Sequence, residues 1–384
     1  MTTIIPEVED NFESESKRTE LSIRGADISS LKKAEDLGAV YRDEQGAPAD
    51  ALHILKEHGV NYVRLKVWVN PADGYNTCDR VLHMARRIKD QGLKLLVDFH
   101  YSDVWADPGK QIKPAAWKDY TLPQLVQAVY DHTYEVCCAL QQRGTPADMV
   151  QVGNELNNGM LWPEGKTRQW DNLAALLKSG REAVKAAHPA TTIMLHLAEG
   201  GNNVGAREWF DQISARGVEF DLIGLSHYTY WHGPLADLQY SLNDLAAHYQ
   251  KKVVIAETAY PFTLANADAQ KNAAHSADQL TPSYPATEAG QAANLRDVMA
   301  VVRAVPDSRG LGIFYWEPTW TAVPGNGWNP ADPTSGNEWE NQALFNFDQR
   351  PTLALNEFKT HAANLVGSRS QSKQRSGHAV CSTN

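Results

Sequence analysis

Glu155 closes the run MVQVGNE and Glu257 closes KVVIAE, two short β-prone stretches that each end on a carboxylate. Two carboxylates facing each other across one bond are what glycosidic hydrolysis requires. One donates a proton to the leaving oxygen and the other acts as nucleophile or base. A separation of about 5 to 5.5 Å selects retention through a covalent intermediate. A lone glutamate at a strand end is more often solvated or a helix cap. Here Asn154 precedes Glu155, and Arg64 interrupts the apolar run YVRLKVW. A buried arginine needs an anionic partner. Beside Glu257 it would keep that carboxylate ionised; the alternative is a structural salt bridge elsewhere.

Aromatic residues give the second signal. Of 11 tryptophans, only Trp170 and Trp209 fall in helical segments; Trp68, Trp105, Trp117, Trp162, Trp231, Trp316, Trp320, Trp328 and Trp339 follow or end a β-prone run. Packing alone would spread them, because a large side chain gains the same burial anywhere in a core. A groove lined by such rings stacks on the apolar faces of sugars. His100, His196 and His227 also raise the alternative of a metal-dependent hydrolase. The first run, SIRGAD, lacks the HxH pair such an enzyme would start with, so hydrogen-bonding roles are expected for the histidines.

These residues need a frame that brings strand ends together. Eight β-prone runs recur, at Leu21 to Asp27, Asn61 to Val69, Lys94 to His100, Met149 to Glu155, Thr192 to Leu197, Leu222 to Tyr228, Lys252 to Thr258 and Leu311 to Trp316. Segments of helical periodicity separate them, several ending at a glycine such as Gly59, Gly92 or Gly144, where a helix stops in a left-handed residue. Eight alternating units in roughly 345 residues indicate an α/β fold of the (β/α)8 barrel type, with the chemistry at the C-terminal strand ends. An open doubly wound sheet ranks second, because no GxGxxG follows an early strand.

Composition limits the partners. The 384 residues carry 36 Lys plus Arg against 46 Asp plus Glu, a net charge of −10 without a basic cluster, which argues against nucleic acid. No apolar run is long enough for a membrane span, and no organic cofactor is implied. The four cysteines, Cys78, Cys137, Cys138 and Cys381, lack zinc spacing and read as buried or semi-buried free thiols. Residues 1–20 and the Ser-rich 367–384 are expected to be disordered tails around a single catalytic barrel at 21–366.

The segments RGADIS, GVNYVRLKVWVNP, KLLVDFHYSDVWADPGKQIKPAAW, AVYDHTYEV, DMVQVGNELNNGMLWPEGK, WHGPL, ETAYPFT and WENQALFNFD resemble the endo-β-1,4-galactanases of glycoside hydrolase family 53. They run from Arg24 to about Asp348, nearly the whole body. The resemblance implies a retaining endo-glycosidase acting on β-1,4-galactan and type I arabinogalactan, the side chains of pectin. It implies Glu155 as acid/base and Glu257 as nucleophile, Asn154 on the sugar 2-hydroxyl, Arg64 supporting the nucleophile, and Trp316 under the sugar at the cleavage point. His100, Trp105, His227, Tyr228 and Trp231 would complete the cleft. Where some bacterial relatives hold structural calcium, this chain has Asn266, Asp268, Gln270 and Asn272, a set with one carboxylate and hence a weaker site. His227 stands where relatives often have an aromatic residue. The rival readings are the same chemistry on mannan or cellulose and a non-catalytic carbohydrate-binding barrel. A polymeric substrate implies a secreted or cell-envelope enzyme, although the N-terminus shows no export signal; cytoplasmic action is the alternative, and a monomer is expected.

Overall fold

The computed structural model describes residues 20–360. The expected tails, apart from Glu20, the 366 boundary and Cys381 lie outside the described residues; Cys78, Cys137 and Cys138 are free thiols.

Eight parallel strands close into a barrel: β1 Ile23–Asp27, β2 Tyr62–Val67, β3 Lys94–Phe99, β4 Met149–Val152, β5 Thr192–Leu197, β6 Leu222–Ser226, β7 Lys252–Thr258 and β8 Gly310–Trp316. β8 pairs with both β1 and β7, so the sheet has no edge. The (β/α)8 expectation holds, with strand ends trimmed. β4 stops at Val152, three residues short of Glu155, and β6 stops at Ser226.

Helices cover the outside of the sheet. Leu122–Gln142 starts with a Thr121/Gln124 capping box and stops before Gly144 at φ 71°, and Gly59 and Gly92 likewise stand at positive φ. Such positions favour glycine because a Cβ is strained there. The apolar faces of these helices and the outward strand residues form one large buried cluster.

Inward residues form a second cluster. Ile23, Tyr62, Leu96, Met149, Met194, Leu222, Val254, Ala256 and Phe314 fill the barrel. Inward glycines make room for them: a Cβ on Gly25 would lie 2.2 Å from the Phe314 ring. Side chains alternate across a strand, so two residues beyond this layer the same face carries Arg64, Asp98, Gln151, His196 and Trp316, and four beyond it Asp27, Lys66 and Ser226. The apolar layer is thus a floor, and the polar residues stand on it toward the C-terminal mouth.

Glu257 has the wrong parity for this pattern, because Ala256 already faces inward. β7 resolves the conflict with a bulge. Leu225 pairs with Ile255 but Ser226 pairs with Glu257, so β7 holds one extra residue, and two further register shifts occur toward β8. A bulge places two successive side chains on one face, and Glu257 is thereby aimed into the mouth.

Candidate active site

A cleft of about 390 Å³ opens at the C-terminal mouth, with Glu155, Glu257 and Asn154 among its walls and six tryptophans, Trp105, Trp231, Trp316, Trp320, Trp328 and Trp339, lining it. Of the predicted residues, Arg64, His100, Trp105, Asn154, Glu155, Tyr228, Trp231, Glu257 and Trp316 all line this one cavity. His227 does not. It is fully buried, neither ring nitrogen has a hydrogen-bond partner among the described residues, and its neighbour His232 lines the cleft instead. Alternation explains this correction: Ser226 and Tyr228 face inward, so the residue between them faces out.

Arg64 is 1% exposed and organises the floor of the site. Its Nη1 donates to Asp27 Oδ2 at 2.7 Å and its Nη2 to Asp98 Oδ2 at 2.8 Å. The same Nη2 lies 2.8 Å from Glu257 Oε1 and 2.9 Å from Asn154 Oδ1. Three carboxylates around one guanidinium keep the arginine charged despite its burial. Tyr228 donates its hydroxyl to Glu257 Oε2 at 3.0 Å, so both nucleophile-candidate oxygens are engaged. His100 Nδ1 accepts from Ala106 N–H, which leaves Nε2 to donate to Asp98 at 3.0 Å. Asn154 donates from Nδ2 to Ala106 O at 2.8 Å, which fixes the amide plane.

Glu155 is held differently. It follows β4 through Gly153 and takes a left-handed conformation, φ 45° and ψ 61°, which costs a non-glycine residue about 1 kcal/mol or more. Its Oε1 accepts from Ser226 Oγ at 2.7 Å, and among the described residues no cation forms an ion pair with it. Burial drives its affinity for a proton far up, and the facing Glu257 charge adds to this. Burial also raises Glu257, to about 7, but there the Arg64 charge is the second largest influence and opposes it. At Glu155 the arginine counts for less than burial, Glu257, Ser226 and Asp107. The charge therefore settles on Glu257 and the proton on Glu155.

A second ion pair flanks the first. Lys66 Nζ lies 3.0 Å from Glu317 Oε1 and 4.0 Å from the centre of the Trp105 ring. Trp316 packs edge-on against Trp339 at 4.6 Å and against Trp105 at 5.7 Å, so the cleft wall is one connected aromatic lattice. Trp68 is 2% exposed and braces Trp105 from behind, while Trp117 and Trp162 stay out of the cleft. Sequence reasoning gave no site role to Lys66, Ser226 or His232. For the first two the signal was available: each has the inward parity of its strand.

Asn266, Asp268, Gln270 and Asn272 do not line the cleft. Asn266 Oδ1 accepts from Asn272 Nδ2 at 2.7 Å, and Asp268 accepts from the backbone N–H groups of Gln270 and Asn337, each at 2.7 Å. Asn272 Oδ1 is buried without a hydrogen-bond partner among the described residues. Among the described residues no group of three or more His, Cys, Asp or Glu side chains is arranged to hold a metal.

Comparisons with known proteins agree with this geometry. The profile of glycosyl hydrolase family 53 matches residues 23–358. A probable arabinogalactan endo-β-1,4-galactanase A of Aspergillus terreus is 40% identical over 316 residues, 80% of this chain and 88% of that protein. The solved family 53 catalytic domain of Ignisphaera aggregans is 41% identical with a TM-score of 0.85, covering 88% of this chain and 95% of that one. A structure from a study of two fungal β-1,4-galactanases is 33% identical with a TM-score of 0.78, covering 88% and 99%. With a barrel whose mouth presents two glutamates in a tryptophan cleft, and a match across nearly all of its described length, the chain belongs to glycosyl hydrolase family 53.

Proposed function

We propose that the protein is an endo-acting, retaining β-1,4-galactanase that cuts galactan and type I arabinogalactan. The observation that carries the reading is the unequal support of the two glutamates: Glu257 is paired with Arg64 at 2.8 Å, whereas Glu155 is buried with only a hydroxyl donor on its Oε1. In the first step Glu257 attacks the anomeric carbon while Glu155 gives its proton to the leaving glycosidic oxygen, which departs as a free hydroxyl. A covalent glycosyl-enzyme remains. In the second step Glu155, now a carboxylate, takes a proton from water, and the resulting hydroxide displaces Glu257. Anomeric configuration is retained and both side chains return to their starting states.

The surrounding residues support these steps. Asn154 and the cleft tryptophans orient the sugar, with Trp316 beneath the ring at the cleavage point. Tyr228 and Arg64 hold both Glu257 oxygens, so the attacking carboxylate loses little entropy on the way to the transition state. The names of the relatives support galactan as the polymer. The double displacement needs no organic cofactor. A polymeric substrate favours action outside the cytoplasm, the proposed working form is a monomer, and among the described residues no helix is long and apolar enough to cross a membrane.

The finer proposal for the 266–272 loop is a structural calcium. The unpaired Asn272 Oδ1 and the Asp268 carboxylate are the oxygens that support it, and its role would be to cross-link the loop. Melting temperatures measured in calcium and in chelator test this; identical values would remove it. The main reading is tested by reducing-end release on linear β-1,4-galactan beside β-1,3-galactan, mannan and soluble cellulose. Release confined to β-1,4-galactan is the expected result. Release only from another polymer would keep the glutamates and overturn the substrate.

A further inference from the structure

Ser226 and His196 are each fully buried beneath Glu155, and the double displacement described above gives neither of them a task. His196 Nδ1 accepts from the backbone N–H of Glu155 at 3.4 Å and lies 3.0 Å from Gln151 Nε2, also a donor. A backbone N–H can only donate, so Nδ1 must present its lone pair. Burial holds the ring neutral, and the nearby Arg64 charge acts in the same direction. A neutral ring with Nδ1 accepting carries its hydrogen on Nε2. Asn154 Oδ1, 3.0 Å from the same Nδ1, takes its hydrogens from Arg64 and Gln151 instead, each at 2.9 Å.

The direction of the next two hydrogen bonds then follows. His196 Nε2–H donates to Ser226 Oγ at 2.8 Å, so the serine hydrogen is free to point onward, and it donates to Glu155 Oε1 at 2.7 Å. An oxygen already accepting a hydrogen bond is a poor place for the carboxyl proton. That proton is left on Oε2.

Resting on the assignment of Glu155 as acid/base, we propose that Ser226, oriented by the Nε2–H tautomer of His196, is a positioning residue. It keeps the Glu155 proton on Oε2, the oxygen available to the glycosidic bond, and later steadies the carboxylate that draws a proton from water. No proton crosses the relay; it only sets which oxygen is protonated. The same kind of arrangement serves the partner glutamate, where Arg64 and Tyr228 each hold one oxygen and so favour the charged form. The β7 bulge makes the two devices neighbours, since it sets Ser226 directly opposite Glu257.

The charged and titratable groups that share the cleft with Glu155 are Glu257 on β7, Arg64 and Lys66 on β2, Asp27 on β1, His100, Asp107 and Lys110 after β3, Glu199 after β5, Tyr228 and His232 after β6, and Glu338 after β8, with His196 beneath. Ser226→Ala leaves all of them in place; it removes the donor to Oε1 and, with it, the acceptor of His196 Nε2–H. The test compares kcat/KM on β-1,4-galactan with that on a 2,4-dinitrophenyl β-galactobioside, whose leaving group departs without protonation. Ser226→Ala is expected to lose about 10- to 100-fold on galactan and much less on the aryl substrate. Its alkaline limb should move upward by about 0.5 to 1 pH unit, because the lost hydrogen bond favoured the carboxylate. Ser226→Thr, which restores the hydroxyl, should recover both.

Equal losses on the two substrates with an unmoved alkaline limb would overturn the proposal and leave Ser226 a packing residue. If Ser226→Ala does not fold, His196→Leu removes the donor that orients the serine and must show the same split between substrates. Glu155→Ala is the control for the underlying reading. If it loses equally on both substrates, the acid/base assignment fails and takes the relay with it. If it shows the split and Ser226→Ala does not, the relay alone is overturned.

Discussion

Tyr62 and Arg64 stand two residues apart on the inner face of β2, and they belong to two regions built on opposite terms. Around Tyr62 lies the apolar floor, with Phe314 meeting it edge-on at 5.4 Å and Leu96, Met149 and Met194 filling the remaining space. Around Arg64 lie three carboxylates, all less than 10% exposed. The floor gains from removing carbon from water. The layer above removes charge from water, which geometry must offset. One strand supports both because alternation delivers the same face at both heights, and the mouth holds its charges on a base that does not yield. The lesson is that the cost of the catalytic layer is local: the floor stabilises the barrel, and the mouth spends part of that stability on reactivity.

The comparison can be broken at either level, beginning with the largest effect. Glu257→Ala should lower hydrolysis by on the order of 10⁴-fold or more while the fold and binding persist. Reducing-end assays and sugar-binding titration check this, and unchanged turnover would sink the nucleophile assignment. Arg64→Met removes the cation shared by Asp27, Asp98 and Glu257, and should cost about 3 to 5 kcal/mol of stability together with most activity. Arg64→Lys should rescue little, because an ammonium cannot replace the planar fork. Phe314→Ala in the floor should cost a similar 3 to 5 kcal/mol by leaving a cavity, yet keep the shape of the pH profile in whatever fraction stays folded. Denaturant unfolding beside kcat separates the two variants. Matching activity losses would erase the distinction between the layers.

Two further predictions concern protons. His132, packed among Phe99, Tyr101 and Trp117, has its proton affinity lowered to about 4 by burial, and His227 has its lowered to about 3. Both are lower folded than unfolded, so the unfolded chain binds the extra protons as pH falls below about 6.5. Each histidine should therefore cost about 1.4 kcal/mol of stability per pH unit between about 6.5 and its folded value. Melting curves of His132→Phe across pH 7 to 4 should show a flatter slope than the parent; parallel slopes would refute it. The glutamates carry the opposite sign. Glu155 is raised in the folded state, so its penalty is present above the unfolded value near 4.5 and fades as pH falls. Glu155→Gln should raise stability at pH 7 by about 1 kcal/mol, with the gain shrinking toward pH 4.5. Activity itself should need Glu257 ionised and Glu155 protonated. Its acid limb is expected above the ordinary glutamate range, between 4.5 and about 7.

Local pattern made much of this molecule legible. Eight β-prone runs with helices between them specify the barrel, and a strand's inward face can be counted from its apolar floor residue, which yields Arg64 from Tyr62 and Asp98 from Leu96. The same count would have found Lys66 and Ser226 and rejected His227. The glutamate pair and the tryptophans after the strands were visible for the same reason, since side-chain direction is set by the two-residue repeat of a strand.

Three features were decided only when the chain closed on itself. Glu257 reaches the mouth through a bulge, and a bulge is a property of how β7 pairs with β6 and β8, not of the β7 sequence. Glu155 points inward from a left-handed residue three positions past β4, held there by Ser226 on β6 and His196 on β5. Trp320, Trp328 and Trp339 come from one long loop whose path is fixed by contacts such as the bond from Trp105 Nε1 to Trp328 O at 2.7 Å. The sequence by itself determined which residues each strand offers to the interior, because that depends on neighbours two positions away. Which of them meet, and which glutamate keeps the proton, depended on partners far along the chain, such as Ser226 30 residues from His196 and Trp328 223 residues from Trp105, whose positions exist only in the closed barrel.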